Sequence, residues 1–129
     1  MTHQTALLRR AGLLSAVAAL LTGCTTVSYD GPRRPDSEVA TLESERTSIA
    51  TIDGARVPYS GGNFGVFKLL PGTHVIGVNL NDNSAYMSRR YSTAPLQIRF
   101  KFEPGRTYVT RPVYRSDQWS PEIVEKAGR

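Results

Sequence analysis

Hydrophobic and polar positions alternate with a period of two over much of this chain. The clearest stretch is residues 96–102. Leu96, Ile98, Phe100 and Phe102 fall on one face and Gln97, Arg99 and Lys101 on the other, as in a strand with one buried and one wet side. Residues 47–52 are rich in β-branched side chains, and Asp53-Gly54 after them reads as a hairpin turn. Residues 56–60 form a weak strand, because Pro58 cannot donate to a ladder. Gly61-Gly62-Asn63 makes the next loop. Residues 64–70 carry Phe64, Val66, Phe67, Leu69 and Leu70 and read as a stronger strand, which Pro71-Gly72 ends. His74, Ile76, Val78 and Leu80 then alternate with Val75, Gly77 and Asn79 until Asn81-Asp82-Asn83 turns the chain. Residues 85–91 are a moderate strand with Arg89 and Arg90 on opposite faces, and Pro104-Gly105 leads into a strand over residues 107–114.

The C-terminal Ser120-Pro121-Glu122-Ile123-Val124-Glu125-Lys126 predicts one short helix. Ser120 would cap it, Pro121 suits its first position, Glu122 suits its positive end, and Trp119 would pin it to a sheet. Residues 24–37 read as a flexible tether, since Gly31, Pro32, Pro35 and polar neighbours leave little to bury. The body then spans residues 38–129. Six or seven short strands joined by tight turns imply a mainly β domain, an antiparallel sandwich or a small barrel.

The N-terminus is patterned differently. Arg9 and Arg10 precede an apolar run, residues 11–21, interrupted only by Gly12 and Ser15. A permanent transmembrane helix needs about 20 apolar residues, so this run is too short to span and reads as an export signal. Directly after it stands Leu21-Thr22-Gly23-Cys24, which resembles the lipobox of bacterial lipoproteins: an aliphatic residue, a small residue, Gly or Ala, then Cys. The resemblance implies that the Cys24 thiol receives diacylglycerol, that a dedicated peptidase cuts between Gly23 and Cys24, and that the new amino group is acylated. Residues 1–23 would then be a removed signal peptide. Two or more acyl chains hold a protein stably on a bilayer, at about 0.8 kcal/mol per buried CH₂. Thr25 stands where Asp would mark retention in the inner membrane, so the resemblance places the mature protein at the outer membrane, facing the periplasm. Arg9-Arg10-Ala11-Gly12-Leu13 also loosely resembles a twin-arginine signal, and both export routes stay open.

The body is similar to PEGA-type surface modules in Ile52-Asp53-Gly54, in Leu70-Pro71-Gly72-Thr73-His74-Val75-Ile76-Gly77-Val78, and in Phe102-Glu103-Pro104-Gly105-Arg106-Thr107-Tyr108. The shared logic is a strand ending in a DG turn, then a PG turn into the next strand. The four-letter core of the namesake module is absent; Leu69-Leu70-Pro71-Gly72 stands in its place. The resemblance implies a transthyretin-like sandwich used for binding or assembly.

Charge and composition narrow the chemistry. The whole chain carries +5; without Arg9 and Arg10, 14 basic side chains face 11 acidic ones. That excess is mild and scattered, which argues against nucleic acid as a partner. Cys24 is the single cysteine, so no internal disulfide and no thiolate cluster can form. Among residues 24–129 His74 is the one histidine; beside its reading as a base or ligand stands that of a strand residue after a turn, at a sheet edge. Asp53, Asp82 and Asp117 sit in or near turns without calcium-loop spacing. Gly61-Gly62-Asn63-Phe64-Gly65 lacks the helix that phosphate cradling requires, and Ser60 and Ser116 lack a nucleophile-elbow context. No catalytic residue, metal site or cofactor is expected beyond the acyl groups on Cys24. Arg89, Arg90, Tyr91, Arg99, Lys101, Arg111 and Arg115 mix cations and an aromatic ring on neighbouring strands. On one face they would bind an acidic glycan, a lipid head group or an acidic partner; the plainer reading is a solvated face whose cations guard edges. The expected function is therefore a lipid-anchored envelope lipoprotein acting as a non-catalytic interaction or accessory module. The rivals are a glycan- or lipid-binding protein using the basic-aromatic face, and a small hydrolase with His74 in a deep polar cleft.

Overall fold

The computed structural model describes residues 25–58, 65–84 and 90–127. The expected signal peptide, Cys24, Gly61-Gly62-Asn63, Phe64 and residues 85–89 lie outside them. The described residues form β1 (Thr25–Val27), β2 (Ala40–Ser44), β3 (Thr47–Ile52), β4 (Ala55–Arg56), β5 (Val66–Leu69), β6 (Gly72–Asp82), β7 (Arg90–Tyr91), β8 (Leu96–Phe102), β9 (Thr107–Arg115) and β10 (Gln118–Glu125), with one 3-10 turn at Asp36–Glu38. They make two sheets. One has the order β1-β5-β2-β9-β10; in the other β4, β3 and β6 follow one another, and β6 pairs on its far side with both β7 and β8. The protein is mainly β, two packed sheets rather than a closed barrel; the described residues form ten strands instead of the expected six or seven, and the first sheet is mixed rather than antiparallel, because β1–β5 and β2–β9 pair in parallel.

Alternation builds the core. Ala40, Leu42, Phe67, Leu69, Tyr108 and Ile123 point inward from the first sheet; Ile49, Ile52, Ile76, Val78 and Phe102 meet them from the second. Phe100, Phe102 and Tyr108 pack edge to face, with centroids 5.0 to 5.2 Å apart. A neutral, satisfied polar join lies inside: Thr47 Oγ1 lies 2.7 Å from Thr110 Oγ1 and donates to the Thr110 carbonyl at 3.1 Å. It ties β3 of one sheet to β9 of the other. The expected Asp53-Gly54 hairpin forms between β3 and β4, with both residues at positive φ, 52° and 82°.

Several expectations are corrected. Residues 120–126 are not helical: they belong to β10, which runs antiparallel to β9 in register from Gln118↔Arg115 to Glu125↔Tyr108. Seven residues make at most two helical turns, which are marginal alone. Pairing satisfies the backbone and lets Trp119 and Ile123 face inward on alternate positions. Pro121 is tolerated because it lies opposite Pro112 on an edge strand, where neither missing N–H breaks the shared ladder. The expected tether begins as structure: β1 pairs parallel with β5, Thr25↔Val66 to Val27↔Lys68, and Ser28 N–H and Oγ both donate to the Lys68 carbonyl. The strand expected over residues 56–60 is confined to Ala55–Arg56 within the described residues. His74 stands near the start of β6 with Phe100 of β8 opposite it, beyond the point where the β3 ladder ends at Ile76, so at this position the strand is paired on one side, as expected of an edge residue after a turn.

Strand registers also define the two ends of the sandwich. β1 runs parallel to β5, β5 antiparallel to β2, and β2 parallel to β9. The start of β1 therefore lies at the same end as Ser44 and Thr110, toward which β9 climbs to Arg115. In the second sheet Thr47↔Leu80, Asn81↔Tyr91 and Val78↔Leu96 collect at that end too. Asp53-Gly54, Gly72, His74 and Gly105 occupy the opposite end.

Candidate functional site

The seven residues expected to form a basic-aromatic face are dispersed. Arg99 and Lys101 share the outer face of β8, opposite Val75 and Thr73 of β6. Arg111 and Arg115 lie on the outer face of the other sheet, where Arg111 faces Glu122 at 3.7 Å. Arg90 and Tyr91 sit on β7 at the end of the sandwich, and Arg89 is outside the described residues. No single sheet face unites the set, because β8 and β9 belong to different sheets and turn their cations away from each other.

What gathers instead is a cleft between the sheets at the end where β1 begins. Leu80 forms its floor. Tyr114 and Trp119, directly opposite on β9 and β10, make one wall; Arg90 and Tyr91 make the other; the β9–β10 turn with Asp117 and Gln118 rims it. Its volume is about 450 Å³, and a concavity beside Ser48 and Arg56 holds about 510 Å³, so size alone does not single it out. Its distinction is its aromatic lining. The Arg90 guanidinium lies 4.7 Å from the Tyr114 ring centroid. The Tyr114 hydroxyl donates to Asp82 Oδ2. Asp82 is buried, and its other oxygen accepts from Ser84 Oγ at 2.6 Å and Ser84 N–H at 2.9 Å. The bonds from the Ser84 and Tyr114 hydroxyls outweigh burial and hold the carboxyl down to about 2. Burial, reinforced by Asp82, pushes the Tyr114 phenol up. Tyr91 donates to Asn83 at 2.9 Å yet stays 57% exposed.

The opposite end holds the histidine. His74 Nδ1 donates to Asp53 Oδ2 at 2.5 Å, and Nε2 lies 2.7 Å from the Leu70 carbonyl. Asp53 Oδ1 also accepts the Val75 N–H at 2.8 Å. Burial alone would raise Asp53; the bonds from His74 and Val75 overcome it and hold the carboxyl below its ordinary value. Both ring nitrogens thus face acceptors, and the ring packs 5.9 Å from Phe102. The imidazole fastens the β3–β4 turn to β6, and neither nitrogen is turned toward a cleft. Among the described residues no three His, Cys, Asp or Glu side chains are grouped to hold a metal.

Sequence reasoning missed the Tyr114–Trp119 wall and the Asp82 anchor behind it. The available signal was symmetry: Tyr114 and Trp119 flank Ser116-Asp117 at equal distances, as cross-strand partners in a hairpin do. Comparison with protein-family models, with curated proteins and with solved structures finds no match for this chain.

Proposed function

We propose that this chain is a lipid-anchored lipoprotein of the bacterial cell envelope, processed before Cys24, whose sandwich serves as a non-catalytic interaction or accessory module at the outer membrane, facing the periplasm. The observation that carries this reading is the order Leu21-Thr22-Gly23-Cys24 behind an apolar run too short to span, with the first strand starting at the next residue, Thr25. Cleavage before Cys24 would leave both described sheets whole. Among the described residues no helix is long and apolar enough to cross a membrane, so the acyl chains would carry the attachment. The engaged ring nitrogens of His74 and the triply bonded Asp82 act as structural groups, which supports a binding or assembly role. Partners on this reading are the membrane itself and an envelope protein or an acidic glycan or lipid. The test is metabolic labelling with a fatty-acid analogue in cells making the wild type or Cys24→Ser. Label on the wild type alone is expected; equal label on both would refute the anchor.

A further inference from the structure

Among the described residues the exposed large hydrophobics are Tyr91 and Leu96, 57% and 40% exposed. Tyr91 lies opposite Asn81 near the end of β6 on the side where β1 begins, and Leu96 lies opposite Val78 at the start of β8, four residues short of the end of β6. The aromatic cleft opens at the same end, with Tyr114 and Trp119 in its wall and Arg90 beside them. Arg46, in the turn between β2 and β3, accepts the Asn81 N–H on its carbonyl and so stands beside this end, and Asp117 rims the cleft. Such a collection costs free energy in water. Its composition, with rings that are apolar in body and polar at the tip and arginines around them, is that of protein surfaces seated at a membrane–water boundary.

Chain connectivity supplies the second, independent observation. Cys24 is covalently next to Thr25, and consecutive Cα atoms are about 3.8 Å apart. Because β1 is hydrogen-bonded into the sheet, no free spacer separates that cysteine from the domain. An acyl group there would draw this end, and not the His74 end, onto the bilayer. Across the sheet, β10 lies four strands from β1, about 19 Å at ordinary spacing. The β9–β10 turn also climbs past the level of Thr25, by about 20 Å along the strands. The domain would therefore lean, with the β9–β10 turn and β7 resting among the head groups.

We infer that the end of the sandwich bearing Tyr91, Leu96, Tyr114 and Trp119 is a membrane-docking surface that sits on the phospholipid layer into which the Cys24 acyl chains insert. This rests on the lipid-anchor reading and adds orientation to it: the domain is held face-down and close. The opposite end, with Asp53, His74 and Gly105, is then presented to the periplasm.

Trp119 is the single tryptophan of the chain, so its fluorescence reports this end directly. The experiment uses the mature protein purified from membranes and reconstituted in phospholipid vesicles, with its mass measured first. Brominated phospholipids are expected to quench Trp119. A reporter at the far end, Arg106→Trp in a Trp119→Phe background, is expected to keep its emission. Tyr91→Ser combined with Leu96→Ser, both at exposed positions, should abolish the quenching while the thermal transition persists. Acylated protein whose Trp119 is unquenched, or is quenched no more than the far-end reporter, overturns the docking surface and leaves the anchor standing. Protein with an unmodified Cys24 overturns both.

Discussion

Asp82 is a carboxylate with 5% of its surface exposed that nonetheless keeps its charge, because Ser84 and Tyr114 give it three hydrogen bonds. Its folded value of about 2 lies below the ordinary 3.8. A group with a depressed folded pKa contributes stability above the unfolded value and loses it as pH falls through the folded one. Wild-type stability is thus expected to fall between pH 3.8 and about 2, and Asp82→Asn should flatten that part of a denaturation-versus-pH curve. An equally steep curve in the variant would remove the assignment. Tyr114→Phe deletes one donor to a charged acceptor and should cost about 1.5–3 kcal/mol in urea unfolding. Asp53, held low by His74 and Val75, adds to the same acid loss with the same sign. Gly77 is a second constrained residue. A bulge between Ile49 and Thr51 sets Thr51 against it, and a Cβ at Gly77 would come 2.1 Å from Thr51 Oγ1 and 3.1 Å from Gln97 Nε2. Gly77→Ala should destabilise by about 1–3 kcal/mol. Adding Thr51→Ala should recover part of that loss, and a strictly additive cycle would show the two do not touch.

At the scale of elements, the pairing of β10 with β9 makes its own prediction. Pro112 and Pro121 face each other and neither has an N–H, so that pair is of the non-hydrogen-bonded kind. The amides of Ser120, Glu122 and Val124 then point into the ladder, and those of Trp119 and Ile123 point away from it. Hydrogen exchange should find the first three slow and the other two fast; the i to i−4 protection of a helix over residues 120–126 would contradict the structure. This element also shows where local reading stopped. Ser120, Pro121 and Glu122 carry genuine helix-start chemistry, but the deciding fact was a partner strand, which local signals do not contain. The Asp53-Gly54 hairpin, the alternation over residues 96–102 and the strand through Ile76 and Val78 were legible, because turn chemistry and a one-sided core write themselves into adjacent positions. β1 was not: Thr25-Thr26-Val27 is three residues long, and its pairing with Val66 spans some 40 positions. The basic set failed for a related reason. Alternation says which residues share a face of one strand, not which strands share a sheet.

For the whole molecule, the two ends of the sandwich differ in kind. One, the end toward which β1 begins, gathers exposed aromatic and aliphatic surface; the other gathers turns cross-braced by Asp53 and His74. His74→Ala is accordingly expected to loosen the β3–β4 turn, seen as faster exchange at the Val75 and Asp53 amides, without altering the proposed membrane attachment. On the proposed reading, the attachment would hang on a single thioether at residue 24. The most direct measurement is the intact mass of the protein extracted from bacterial membranes. The expected product is a chain that starts at Cys24 and carries diacylglycerol and a further acyl group. A chain that keeps Met1, or one that begins at Cys24 with a free thiol, would contradict it.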